Sequence, residues 1–482
     1  MSLWQRTRAL RWWIIAIVML GTIINYLVRS TLGVAMAAPE FKADLQISAE
    51  QYSWVTGIFQ AGIMLQPLVG YILDRIGIRT GFALFASAWG LLTLAHGLVS
   101  SWQWLAVLRG LLGFAEGTSH TGGLKVVSEW FPARERGFAG GIYNLGASAG
   151  VALAAPLVAW SILLWNWRAA FVIAGLLALL WVLLWLRYYF EPEDHPRISA
   201  EERDYIHAGQ EAHVRTTGEK PRVLTLLGQR NFWGIALPRF LADPTWATLT
   251  FWMPLYLADE RGFDLGQIAL FAFLPFVAAD VGCLFGPAVV VWLERRGTKL
   301  IDARRWTFTL GALLMVGMIF VGFVGNAYVA VLLLSLGGFA HQILSVTCIT
   351  MASDLFPRNE IGTVAGMAGT LANLGVLLFT LSIGALVQVI GWTPFFVALS
   401  VLDLIAAVLL WTLVQHPGAG SGRESGWIPI LLGGGMAGAL GFGVGPANLG
   451  IAGIAGLGFG LLLLLLGIAV ELRARRGRGL PA

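Results

Sequence analysis

Gly113-Phe114-Ala115-Glu116, followed by Glu129-Trp130-Phe131-Pro132, Gly137 and Gly141, recurs 225 residues later as Gly338-Phe339-Ala340-His341, Asp354-Leu355-Phe356-Pro357, Gly362 and Gly366. A chain that repeats itself at one offset, in a background that is 57% hydrophobic, reads as two related membrane bundles. Such pairs place a binding site between the halves.

Composition points the same way. With 482 residues, only 12% of them charged, and a mean hydropathy of +0.74, the chain cannot be an ordinary soluble domain. Apolar stretches lie near 12–37, 52–73, 79–99, 102–127, 137–162, 168–190, 231–258, 267–293, 306–325, 327–352, 360–389 and 392–415. Each can supply the roughly 20 helical residues that a hydrocarbon core requires. Two more, 427–446 and 449–471, bring the expectation to fourteen spans, the last pair being rich in glycine around Gly433-Gly434-Gly435. The expected class is an all-α polytopic membrane protein. Its parts are a first six-helix bundle over 1–190, a cytoplasmic linker over 191–230, a second bundle over 231–416, and an added hairpin with a basic tail over 417–482.

Lys and Arg are retained on the cytoplasmic side of a membrane, so their loops set the orientation. Arg6, Arg8 and Arg11 precede the first span; Arg75 and Arg79 follow the second; Arg134 and Arg136 follow the fourth; Arg295, Arg296, Lys299, Arg304 and Arg305 follow the eighth; Arg473, Arg475, Arg476 and Arg478 close the chain. All fall on one side if both termini are cytoplasmic. Trp12, Trp13, Trp102, Trp104, Trp165, Trp167, Trp392 and Trp427 sit where an interfacial belt would put them. The net charge of +5 is therefore topology, and no nucleic-acid partner is expected. The first apolar run is too long for a cleaved leader and lacks a small-residue cleavage site, so the first span is expected to stay.

The linker concentrates charge from Glu191 to Arg203, and Ser199 with Glu202 has the spacing of a capping box, which predicts a short amphipathic helix. Cys283 and Cys348 show no framework or metal spacing and read as small hydrophobes. HExxH, Walker A and GxSxG patterns are missing from suitable contexts, so no enzyme, cofactor or metal is expected.

Ionisable groups inside apolar spans are costly and mark function or pairing. Arg29 lies about 25 Å of helix beyond the cytoplasmic start of the first span, and Glu116 about 20 Å from the cytoplasmic end of the fourth. His341, the repeat partner of Glu116, falls at comparable depth, so the three are expected to converge. A guanidinium at Arg29 can grip a carboxylate through two parallel hydrogen bonds, or pair permanently with Glu116. Glu116 can carry a proton, because burial and a nearby Arg pull its protonation in opposite directions, or be the other half of that static pair. Arg109 stands two turns before Glu116 on one face and opens a run of small residues, Gly113 and Gly117, that favours close helix contact. His120, one turn after Glu116, is a second proton candidate, and Lys125 either binds an anion or snorkels to the interface.

Gly70-Tyr71-Ile72-Leu73-Asp74-Arg75-Ile76-Gly77-Ile78-Arg79 and Arg109-x-x-x-Gly113 resemble the loop and fourth-helix motifs of the major facilitator superfamily. Asn25-Tyr26-Leu27-Val28-Arg29, Lys125 through Arg136, His195-Pro196-Arg197, Arg239-Phe240-Leu241-Ala242-Asp243-Pro244 and Gly337-Gly338-Phe339-Ala340-His341-Gln342 resemble its anion:cation symporters, most of all the hexuronate transporters, over about residues 10–416. The resemblance implies a twelve-helix fold of two six-helix halves rocking about a central site, with proton-driven uptake of sugar acids such as glucuronate and galacturonate. It assigns Tyr26, Arg29 and Glu116 to substrate contact or coupling, and Asp74 and Arg75 to a conformational latch in which Arg109 takes part. The chain departs from the pattern at Val28, where relatives carry Asp, and at Gly62, Ala147, Ser148, Ser119-His120-Thr121, Asn373 and Val291.

The expectation is a proton-coupled symporter of a hexuronate or related organic anion, a monomer in contact with membrane lipid in a bacterial inner membrane. Arg29, Lys125 and His341 would hold the carboxylate; Tyr26, Gln342 and Asn373 would bond hydroxyls; Glu116 and His120 would handle the proton. A uniporter or exchanger without proton coupling is the nearer alternative, favoured by Val28. A non-transporting membrane sensor is the remote one.

Overall fold

The computed structural model describes residues 10–132, 135–209, 223–356 and 358–416. The expected hairpin 427–471 and the basic tail lie outside the described residues. Ten described helical stretches are long and apolar enough to cross a membrane, some of them joined from consecutive segments, and two further spans, near 102–130 and 230–259, are also broken.

The first half comprises α1 (Leu10–Ala35), α2 (Pro39–Leu45), α3 (Ala49–Ile63), α4 (Gln66–Ile76), α5 (Ile78–His96), α6 (Trp102–Glu116), α7 (Thr118–Trp130), α8 (Arg136–Leu164) and α9 (Trp167–Tyr188). The linker holds α10 (Ala200–Gly209) and α11 (Val223–Leu227). The second half follows with α12 (Arg230–Ala242), α13 (Pro244–Ala247), a π-turn (Thr248–Trp252), α14 (Met253–Asp259), α15 (Leu265–Phe271), α16 (Leu274–Arg295), α17 (Leu300–Met315), a 3₁₀ turn (Val316–Gly322), α18 (Ala327–Leu355), α19 (Arg358–Ile390) and α20 (Thr393–Leu413).

The breaks have local causes. Proline lacks an N–H and fits best in a first helical turn, where Pro67, Pro244, Pro254 and Pro275 each restart a helix, while Pro156, Pro238 and Pro287 lie inside α8, α12 and α16. In the fourth span the interruption is Gly117, whose N–H is shared between the carbonyls of Gly113 (3.1 Å) and Phe114 (3.3 Å). Glu116 and His120 therefore belong to separate helical segments, not to successive turns of one helix.

The repeated glycines explain why the two halves share a motif. Gly113 of α6 lies against the backbone carbonyl of Phe59 in α3, and its repeat Gly338 of α18 lies against the carbonyl of Pro275 in α16. A side chain at either place would strike backbone, so each pair meets main chain to main chain, as small residues permit in membrane helices. Elsewhere α1 packs on α8, α5 on α9, and α12 on α19 and α20. Leucines such as Leu84, Leu183 and Leu284 point outward, as expected where the surrounding solvent is lipid.

Between the halves run seams of α3 with α19, α8 with α15 and α16, and α1 with the π-turn and α14. One end of these seams is tied. The Tyr52 hydroxyl donates to the Phe251 carbonyl at 2.6 Å, Lys42 pairs with Asp259 at 2.5 Å, and Gly384 packs on Ser53. At the other end, where Arg11, Arg295, Arg296 and Arg304 lie, a Cβ at the repeat positions Gly141 and Gly366 would meet no described residue within 4 Å. Among the described residues, the central space is thus closed at the tied end and open toward the basic end.

The linker helix forms where Ser199 predicts it, with the Ser199 hydroxyl accepting from the Glu202 N–H at 3.1 Å. The capping box is only half made. Instead of turning back to Ser199, the Glu202 carboxylate takes the Leu10 N–H (2.9 Å), the Arg11 N–H (3.1 Å) and the Arg11 guanidinium (3.1 Å). It thereby satisfies donors that the first turn of α1 would leave orphaned. Arg11 also pairs with Glu135 at 2.9 Å, and the Tyr205 hydroxyl donates to Glu135 at 2.8 Å, so the linker helix is fastened to the first half.

Candidate functional site

Arg29 of α1 and Glu116 of α6 reach each other deep in the first half through their side chains. The Arg29 Nε donates to Glu116 Oε2 at 3.0 Å, with the Glu116 side chain fully buried and that of Arg29 17% exposed. The guanidinium lies over the Tyr26 ring at 4.5 Å and the Phe59 ring at 5.6 Å, so its plane is fixed by aromatic faces. Arg109, buried on α6, donates to the Arg29 carbonyl at 3.3 Å and also lies 5.6 Å from Phe59. Arg29 and Arg109 are the charges that act on Glu116.

Two guanidinium groups against one carboxylate leave one net positive charge in a low-dielectric interior. Only Arg29 carries it toward open space. Buried charge of this kind is stable when an anion or counter-charge completes it, so the arrangement suits a carboxylate ligand. Among the described residues, Glu116 Oε1 has no hydrogen-bond partner, nor do Arg109 Nε and Nη2.

The structure gathers only part of the expected set. His341 is not brought to Glu116: it is buried, stacked on Trp246 at 5.9 Å, and the charges that act on it are Asp243 and Arg239. Equal depth in equivalent spans placed the two residues symmetrically about the axis between the halves, not at one point. Lys125 reaches back toward the Leu73 carbonyl at 3.5 Å, near the loop after α4. Gln342 is half-buried on α18. Asn373 is half-buried on α19, where its amide donates to the Gly369 carbonyl at 2.9 Å. His120 lies in α7 and Asp74 in α4, and the side chains of both are outside the described residues. Arg75 is exposed, its guanidinium 4.8 Å from the Tyr71 ring. Val28 is buried, and Cys283 and Cys348 are free thiols.

The second half holds more charge than the sequence reading gave it. Arg239 pairs with Asp243 at 3.0 Å, the two side chains being 17% and 18% exposed. Asp403 is fully buried on α20 with neither carboxyl oxygen bonded among the described residues, and Asp280 on α16 faces Ser148 of α8 across the seam. All four lie inside apolar spans, where an ionisable side chain already stands out, so that same signal could have found them.

The fold and this cluster accord with comparison to known proteins. The sequence profile of the Major Facilitator Superfamily matches residues 18–303. The chain belongs to the major facilitator superfamily. It is 45% identical over 415 residues to the hexuronate transporter of Escherichia coli K12, covering 86% of this chain and 96% of that protein. It is 43% identical over 329 residues to the galacturonate transporter of Dickeya chrysanthemi, covering 68% of this chain and 95% of the relative. Among solved structures, a bacterial homologue of the human lysosomal transporter Spinster superimposes with a TM-score of 0.67 at 17% identity, covering 84% of this chain and 96% of that one, which establishes the shared fold. The protein is an integral, multi-pass member of a transporter family, and not an enzyme.

Proposed function

We propose that this protein is a proton-coupled symporter of a hexuronate or closely related sugar-acid anion, working by alternating access between the halves 1–190 and 231–416. The observation that carries the reading is the Arg29–Glu116 pair: a buried carboxylate holding a partly exposed guanidinium beside a second, buried one. The sugar acids named for its relatives support the substrate class. The substrate carboxylate takes the free edge of Arg29, and Tyr26 flanks it. Glu116 loses part of its counter-charge and accepts a proton in its place. After release, Glu116 gives up the proton and re-forms its bond to Arg29, which is the arrangement described above with the basic end open.

Gln342 and Asn373 meet sugar hydroxyls from the second half, Lys125 adds positive charge and His341 a ring N–H as the anion moves, and His120 passes the proton. Asp74, Arg75 and Arg109 tie the conformational change to these events. The protein acts as a monomer in a bacterial inner membrane, surrounded by lipid, with its basic end and both termini in the cytoplasm. In proteoliposomes, Glu116→Gln is expected to abolish accumulation driven by a proton gradient while leaving exchange of labelled substrate measurable. Accumulation equal to the wild type would remove Glu116 from coupling. A uniporter or exchanger is the second reading, favoured by the apolar Val28 beside Arg29, and it would leave external pH unchanged when substrate is added.

A further inference from the structure

Arg239 and Gln66 form a second pair of donors that the reading above leaves unused. Arg239 sits on α12 about nine residues from that helix's basic-end start, roughly 14 Å of rise, whereas Arg29 is about 19 residues, roughly 28 Å, into α1. Arg239 is therefore the nearer of the two to the open end. Its Nη2 is engaged by Asp243, and its Nη1 points to Gly369 of α19. From the other half, Gln66 at the start of α4 sends its Nε2 to the same glycine.

The space at Gly369 is specific in what surrounds it. A Cβ there would have just two described neighbours within 4 Å outside its own helix, Gln66 Nε2 at 3.6 Å and Arg239 Nη1 at 3.8 Å. One turn earlier, at Gly366, a Cβ would meet no described residue within 4 Å. A guanidinium and an amide, one from each half, thus converge over the buried Gly369, one turn from Gly366. Two such donors match the two oxygens of a carboxylate, one for each donor.

We propose that Arg239 and Gln66 form a second, weaker carboxylate-binding station, holding the sugar acid between the Arg29 site and the basic end. This rests on the sugar-acid reading of the function. The weakness has a cause. Asp243 already neutralises Arg239, so the station offers hydrogen bonds with no net charge, in contrast to the uncompensated positive charge at Arg29 and Arg109. A weaker site on the exit side lets the anion leave the stronger one in two steps.

The test is calorimetric titration of the purified full-length protein with D-galacturonate, using its uncharged methyl ester as control. Wild type should bind the acid and not the ester. Arg29→Ala should retain binding weakened about 10- to 100-fold, and Gly369→Ala added to it should remove what is left. Gly369→Ala alone should keep the tight phase, because it touches neither Arg29 nor Glu116. Arg239→Lys on the Arg29→Ala background keeps charge without the planar fork and should weaken the residual phase further. Complete loss of binding in Arg29→Ala that still unfolds at the wild-type temperature, or residual binding that survives Gly369→Ala, overturns the station while the Arg29 site stands. A wild type that does not bind galacturonate removes both the function proposed and the station.

Discussion

Tyr52 is the place to test how the closed end is held. Its hydroxyl donates to the Phe251 carbonyl at 2.6 Å, both residues are buried, and the bond joins α3 of the first half to the π-turn of the second. Tyr52→Phe removes the donor and little else, since the ring keeps its edge contact with Trp252 at 4.9 Å. A buried carbonyl left without its partner costs about 1–3 kcal/mol. That cost falls on the state closed at this end, because the bond cannot survive separation of the halves. A shift of about 1–2 kcal/mol multiplies the population open at this end by roughly 5- to 30-fold. The adjacent Lys42–Asp259 pair is 28% and 46% exposed and adds at most about 1 kcal/mol. Leu381, which faces Gly57 across the same seam and is 4% exposed, supplies the reporter. With Cys283 and Cys348 replaced, a cysteine at 381 should be labelled by a membrane-impermeant thiol reagent 5- to 30-fold faster in Tyr52→Phe than in its absence. Equal labelling rates would mean that the Tyr52 bond does not hold the seam, and the argument would fail.

Two further outcomes follow from the linker. Glu202→Ala leaves the first turn of α1 uncapped and strips Arg11 of one carboxylate, so the protein in detergent should lose about 2–4 kcal/mol and unfold at a lower temperature, while Glu201→Ala, on the exposed face, should not. His195 accepts the Arg197 N–H at its Nδ1 (3.1 Å), bonds the Tyr188 carbonyl through Nε2 (3.1 Å), and is flanked by Trp130 and Phe190; burial lowers its pKa below the usual 6.5. The unfolded chain then binds the proton more readily than the folded one below pH 6.5, so stability should fall as pH drops from 6.5 toward the lowered value. His195→Asn should flatten that part of the stability–pH curve, and an unchanged slope would exclude His195 as its source.

The helical spans and the Arg29–Glu116 pairing were legible in the sequence because both depend on distance along a helix. A rise of about 1.5 Å per residue gives depth directly, and two charges at one depth on adjacent spans tend to meet. Direction around a helix is another matter. His341 has the depth of Glu116 but stacks on Trp246, because a repeat relates positions by symmetry across the molecule without bringing them to the axis. The break at Gly117 was hidden since glycine inside a span also reads as a packing residue, and here it is next to one that does pack, Gly113. The half-made capping box failed to announce its real use, as the donors that Glu202 takes lie 191 and 192 residues away in sequence. Arg239, Asp243, Asp280 and Asp403 were visible as charges in apolar stretches, and what sequence lacked was the neighbour of each.

The main-chain contacts at Gly113 and Gly338 bear on stiffness. Where two helices meet backbone to backbone at a glycine, no rotamer at that point can turn to let one slide past the other, so α3 with α6 and α16 with α18 behave as planks. Compliance is left to the kinks at Gly117 and Thr248–Trp252 and to the side-chain seams between the halves. How much a substitution slows the cycle is then set less by its distance from the anion than by whether it falls within a plank or on one of these yielding lines.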